Sequence, residues 1–115
     1  MDTDSALQAL AALAQRHRLA VFRLLVRQGV QGACPGEIGA ELGLSPATLS
    51  FHLRTLSQAG LVTAEQQGRS ILYRADFTAM EALVGFLGEN CCAADGAGCS
   101  VGAPSNEGPR LPNPS

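Results

Sequence analysis

Three cysteines near the C-terminus, Cys91, Cys92 and Cys99, fall within nine residues of one another in a chain that opens on Asp2 and Asp4 rather than on a secretory leader. In a reducing compartment such a grouping favours metal or metalloid binding over a disulfide framework. Three thiolates suit a soft, three-coordinate ion with a lone pair, As(III) first and Sb(III) next, because soft sulfur ligands select soft ions. Zinc usually asks for four ligands. No histidine lies in this segment, although Asp95, or Cys34 brought from elsewhere, can in principle complete such a set. On a helix the adjacent Cys91 and Cys92 diverge by about 100°, and the glycine-containing stretch before Cys99 can fold back towards them. Other readings stay open. Cys91 continues an apolar stripe and can be a packing residue, and a disulfide from Cys99 to either neighbour makes a redox switch, although no nearby cation lowers a thiol pKa. Cys34 reads as a spare thiol. No nucleophile with its base and no paired carboxylates are visible, so an enzyme is not expected.

A second constellation lies at mid-chain. Ser45 followed by Pro46 is a strong helix start, and the helix it opens is predicted to run to Gly60. On a wheel of about 100° per residue, Leu49, Leu53 and Leu56 gather within about 60° and must face a core. The opposite side presents Ala47, Phe51, Arg54 and Gln58, with Thr48, Ser50 and Thr55 on the flanks. This mixture suits a DNA major groove: Arg54 can donate to guanine, the hydroxyls of Ser45, Thr48, Ser50 and Thr55 to phosphate or base edges, and Phe51 can touch thymine methyls. His52 sits near the core edge, where a packed imidazole is as good an account as a DNA contact. Arg69, beside Gly68, is placed to reach a phosphate or the minor groove, or simply to be a solvated turn residue.

The elements that position these residues follow from period and punctuation. A first helix carries Leu7, Leu10, Leu13 and Ala14 on one face, capped by Thr3 or Asp4, with a joint near 14–17. A second, with Leu19, Val21, Phe22, Leu24 and Leu25, should stop at Gly29. Residues 29–36 read as a loop, Glu37–Leu42 as a short helix, and Gly43 as the tight turn of a helix-turn-helix. After Gly60 the period drops to about 2, giving strands over 61–65 and 70–74 joined by Gln-Gln-Gly. Asp76 caps a last helix predicted to reach about Cys92.

The fold class expected is mainly α with a small β-hairpin: a winged helix-turn-helix of about five helices plus the wing. Phe77, Met80, Val84, Leu87 and Cys91 fall on one side of the last helix and Leu83 and Phe86 on a second. One helix with two apolar faces needs two partners, which points to a homodimer through the first and last helices, or else to one wide face wrapped by the chain's own core. Residues 1–93 form the DNA-binding and dimerisation domain, and 94–115 a cysteine-containing flexible tail, disordered beyond 100 where Gly, Pro, Ser and Asn dominate.

Net charge is −2 over 115 residues, which argues weakly against nucleic acid, but the charge is uneven. Seven of the eight arginines lie between 16 and 74 against three acids, a local +4, and there is no lysine. Every permanent side-chain cation is thus a guanidinium able to bind phosphate or guanine with two parallel hydrogen bonds. Arg16, Arg23 and Arg27 share one helix face, as a solvated or salt-bridged stripe or as phosphate contacts. No apolar run approaches the roughly 18 residues of a membrane span, so a soluble, cytoplasmic protein is expected.

The stretch Ser45-Pro-Ala-Thr-Leu-Ser-Phe-His-Leu-Arg-Thr-Leu56, then Ala59-Gly-Leu-Val62 and the Gln-Gly-Arg wing, resembles the ArsR/SmtB family of metal-responsive repressors. Leu13-Ala-Gln-Arg-His-Arg-Leu19 is similar to that family's second-helix motif. The likeness covers about positions 5–92, and Ser-x-His-Leu is fairly specific to this group among winged helices. It implies a dimeric transcriptional repressor on an operator of two-fold symmetry, with Ser50 and His52 among the DNA-contacting positions. The Glu-Asn-Cys-Cys run resembles arsenic-responsive ArsR repressors whose ligands sit here. Other branches place cysteines in the recognition helix or His and carboxylate ligands on the last helix, and this sequence has neither set. The mechanism expected is release from DNA when As(III) closes Cys91, Cys92 and Cys99 together, tethering 93–99 and unwinding the last helical turn. A thiol-oxidation sensor and a metal-trafficking protein are the competing functions.

Overall fold

The structure, a computed structural model, describes residues 1–95. Cys99 and the predicted disordered tail lie outside the described residues. Five α-helices and one antiparallel hairpin build the domain in the order α1 (Thr3–Leu13), α2 (Arg16–Gln28), α3 (Pro35–Leu42), α4 (Pro46–Gln58), β1 (Val62–Gln67), β2 (Ser70–Ala75) and α5 (Phe77–Gly88). The expected winged helix-turn-helix is what the chain forms.

Asp2, rather than Thr3 or Asp4, caps α1, its Oδ1 accepting the Ser5 N–H at 3.3 Å. Thr3 and Asp4 are therefore inside the first turn, where Asp4 meets the positive end of the helix dipole. The face that α1 buries is Ala6, Ala9 and Ala12, whose small side chains let it lie close to α2 and α4. Leu7 and Leu10 are left on the outside. At the predicted joint Gln15 caps α2, its Oε1 accepting the N–H groups of His17 at 2.8 Å and Arg18 at 2.9 Å.

Residues 29–36 are more structured than a loop. A 3₁₀ turn spans Gly29–Gln31, and Ala33 pairs with Tyr73 in a short antiparallel bridge with both N–H···O distances at 2.9 Å. Helix α3 begins at Pro35, two residues earlier than expected. Cys34 is its N-cap, and the Glu37 carboxylate accepts the Cys34 backbone N–H at 2.9 Å. Pro at the first helical position costs nothing because its missing N–H has no intrahelical partner there.

Side chains from α2, α3, α4 and the start of the wing close one core, with Val21, Leu25, Ile38, Leu49, Leu53, Leu56 and Leu61 fully buried. The hairpin runs from Val62↔Ala75 to Gln67↔Ser70. Its turn is the two residues Gly68-Arg69, not Gln-Gln-Gly, because Gln66 and Gln67 are still paired in the ladder. Glycine at the first turn position, with φ of 63°, supplies the backbone twist that a two-residue hairpin requires. Helix α5 ends at Gly88, a turn short of Cys92. Gly85 and Gly88 weaken it, Glu89 leaves helical geometry, and Asn90 and Cys92 take left-handed φ of 60° and 62°.

One glycine is required by space as well as by angle. A Cβ on Gly32 would collide with the Tyr73 carbonyl and lie 2.9 Å from Arg74 Cγ, and its φ is 66°. At Gly29, φ of 65° meets open space. Gly32→Ala should therefore cost upward of about 2 kcal/mol in chemical denaturation, against about 1 kcal/mol for Gly29→Ala, which carries only the left-handed penalty. Equal losses at the two positions would contradict the close Gly32–Tyr73 packing.

Candidate nucleic-acid interface and cysteine pair

Helix α4 is anchored from within and capped from without. Leu49, His52, Leu53 and Leu56 are buried, so Thr48, Ser50, Phe51 and Arg54 must lie outward. Ser45 Oγ accepts the Thr48 N–H at 3.3 Å and pairs with Thr48 Oγ1 at 3.0 Å, so both hydroxyls are held at the helix start with lone pairs to spare. The Thr55 hydroxyl is turned inward instead, donating to the Phe51 carbonyl at 3.2 Å. Phe51 is 57% exposed on this largely polar surface. Arg69 is exposed at the wing tip.

Guanidinium groups divide into those already engaged and those left over. Arg74 pairs with Glu65 across the hairpin, which holds the Glu65 carboxyl below its usual range, and its Nε donates to the Val30 carbonyl at 2.7 Å. It ties the wing to the 3₁₀ turn. Arg27 bridges α2 to Glu41 of α3 at 2.7 Å, an exposed pair of small energetic value. Arg18 Nε donates to the Ala12 carbonyl at 2.6 Å. Among the described residues Arg16, Arg23, Arg54 and Arg69 have no ion pair, which leaves them for phosphate or base.

His52 is 6% exposed, and its ring lies 5.8 Å from that of His17 and 5.7 Å from that of Phe51. Its Nδ1 is buried with no hydrogen-bond partner among the described residues. Burial, then the positive charge of Arg18, then His17, lower its pKa from 6.5. The imidazole is thus a packing group on the buried side of α4, where the lowered pKa favours its neutral form, nearer the core than a groove-facing position.

Cys91 and Cys92 leave α5 on a turn and not on the helix. The Cys91 N–H bonds the Gly88 carbonyl at 3.0 Å, and the left-handed Cys92 brings the two sulfurs to 3.6 Å instead of letting them diverge. Both are half-buried. Cys34 belongs to the cap of α3, where desolvation and the Glu37 carboxylate raise its thiol pKa, consistent with an inert cysteine. Among the described residues no three His, Cys, Asp or Glu side chains are gathered to hold a metal ion. The sequence does not reveal the cysteine turn, because left-handed non-glycine residues carry no dependable signature beyond the preceding Asn90.

Comparison with known proteins agrees with this architecture. Residues 13–65 match a helix-turn-helix domain family. An uncharacterized HTH-type transcriptional regulator of Bacillus subtilis, YceK, is 35% identical over 82 residues, covering 70% of this chain and 80% of its own. The HTH-type transcriptional repressor SmtB of Mycobacterium tuberculosis is 38% identical over 71 residues, 62% of this chain but only 50% of SmtB. Of solved structures, the homodimeric winged helix-turn-helix domain of Mb0332 from Mycobacterium bovis, a possible ArsR-family regulator, superposes with a TM-score of 0.61 at 27% identity, covering 84% of this chain and 89% of that one. A possible transcriptional regulator for arsenical resistance gives 0.60 at 26%, covering 79% and 97%. Fold and relatives together define a helix-turn-helix transcriptional regulator. The chain belongs to the HTH-type transcriptional regulators, whose members are DNA-binding proteins and not enzymes, and its likeness to SmtB and to a possible ArsR-family regulator supports the ArsR/SmtB branch.

Because the fold favours neutral His52, the unfolded chain binds the extra proton as pH falls below about 6.5, and stability should drop until the folded-state pKa is passed. Denaturation of the wild type at pH 7 and pH 5.5 should show this loss, and His52→Gln should flatten it. Parallel losses in the two proteins would show that His52 is not the group responsible.

Proposed function

We propose that this regulator is a cytoplasmic homodimeric repressor that binds a two-fold operator and is released when As(III), with Sb(III) as a second soft ion, is captured by Cys91, Cys92 and Cys99. The observation that carries the reading is the 3.6 Å approach of the Cys91 and Cys92 sulfurs on the turn that ends α5. Two thiolates so placed can share one soft ion. Cys99, seven residues on, supplies the third sulfur in this proposal. Since α5 has already ended at Gly88, capture acts by fixing the 89–99 segment and not by unwinding a helical turn. The operator contacts proposed are Ser45, Thr48, Ser50, Phe51, Arg54 and Thr55 from α4, with Arg69 from the wing. His52 stands among them only through a ring edge, given its burial.

Apolar side chains left uncovered on α1 and α5 support the dimer. Leu7 and Leu10 lie on α1 and Val84 and Leu87 on α5, the last 61% exposed, while α1 and α5 pack together. A second copy covering this paired surface removes it from water, and a two-fold dimer sets two recognition helices against half-sites. Leu87→Glu should shift the protein to monomer in sedimentation at micromolar concentration, with the helical content unchanged. A dimer of undiminished affinity would place the interface elsewhere.

Gel shift with and without arsenite tests the inducer. A coupling of about 1–3 kcal/mol, usual for two linked sites, weakens operator binding about 5- to 150-fold. Cys92→Ser and Cys99→Ser should keep DNA binding and lose the arsenite response, and titration should consume three thiols per chain. Undiminished binding in saturating arsenite overturns the inducer assignment. Release by peroxide, reversed by dithiothreitol and needing no ion, would establish the thiol-oxidation sensor in its place.

A further inference from the structure

Resting on the operator reading above, we propose that Phe51 is a specificity-determining residue that reads the 5-methyl group of a thymine, one or two base pairs from a guanine read by Arg54. Two observations converge on it. Phe51 is the one large apolar side chain exposed on α4, 57% open to solvent on a face it shares with Ala47, Thr48, Ser50, Arg54 and Gln58. A lone phenyl ring so placed is an energetic cost until something apolar covers it, and in a major groove the apolar group on offer is the thymine methyl. The ring also has a neighbour that limits its freedom: it leans at 60° on the buried imidazole of His52, 5.7 Å away. A contact that is already ordered loses little side-chain entropy on binding.

Arg54 sets the register. It is the sole cation of α4, three residues beyond Phe51, and among the described residues it has no ion pair. Three residues of helix advance about 4.5 Å, a little more than the 3.4 Å rise of one base-pair step. The guanine edge offered to the Arg54 fork therefore falls one or two steps from the thymine under Phe51. Each half-site then carries a paired T and G signal, with the hydroxyls of Ser45, Thr48 and Ser50 serving orientation more than sequence.

Duplexes selected from a randomised pool by the full-length wild-type protein provide the probe. In the enriched half-site each thymine is replaced in turn by deoxyuridine, which deletes only the methyl. At one position wild-type affinity should fall about fourfold, the value of one buried methyl-sized group. Phe51→Ala should bind the thymine duplex more weakly and show no difference between thymine and uracil there. Arg54→Gln should keep the methyl dependence while losing preference for the nearby guanine. Wild-type binding indifferent to every uracil substitution, or a Phe51→Ala protein as methyl-sensitive as the wild type, overturns the inference while leaving the operator reading intact. Enrichment of no duplex at all overturns both. Phe51→Leu, which keeps an apolar contact, should retain part of the methyl ratio, and circular dichroism of each variant separates lost contact from lost fold.

Discussion

Everything outward on α4 is fixed by what is inward. Leu49, Leu53 and Leu56, with His52 beside them, are removed from water against the side chains of α2 and α3. Each leucine buried contributes about 1.5–3 kcal/mol. Rotating α4 by even one residue would expose them, so this stripe sets the helix's azimuth to within a few tens of degrees. The Ser45 cap and the left-handed Gly43 set where along its axis it begins. The surface offered to DNA is therefore a consequence of core packing, not an independent design.

The wing is coupled to the same core by a different device. Ala33 adds a bridge to the hairpin at Tyr73, Arg74 binds the Val30 carbonyl, and Gly32 lets the two backbones approach closely enough for both. Arg69 at the tip is thus carried on a hairpin fastened at its base. Arg74 and Arg27 spend their charge on internal ion pairs, which is why the local excess of positive charge overstates how many guanidiniums can meet phosphate.

At the other end of the molecule, apolar surface and sulfur chemistry adjoin in sequence. The uncovered face of α5 runs out at Leu87, and three residues later the chain enters the left-handed turn of Asn90 to Cys92. Left-handed geometry at a cysteine costs about 1–2 kcal/mol, and it sets the two sulfurs side by side. A sensor built there would act on the segment that follows the proposed dimer helix. Under the proposed function, this juxtaposition would give ion capture a route to the spacing of the two recognition helices.

Periodicity and punctuation in the sequence determined the element order, the helix-turn-helix, the wing, and which side of α4 faces out. These follow from local rules: 3.6-residue spacing of Leu49, Leu53 and Leu56, Pro46 after Ser45, and glycines at the turns. Sequence patterning likewise marked Leu7, Leu10 and Leu87 as surplus to one core. Tertiary structure alone decided the rest. The bridge of Ala33 to Tyr73 joins residues 40 apart, and no local pattern encodes such pairing. The depth of His52 depended on how closely α2 approaches α4, and the end of α5 at Gly88 depended on a left-handed turn that helical spacing cannot reveal. Local sequence sets which conformations are cheap. Only the packed chain decides which of them are held, because burial and long-range hydrogen bonds supply the free energy that selects among them.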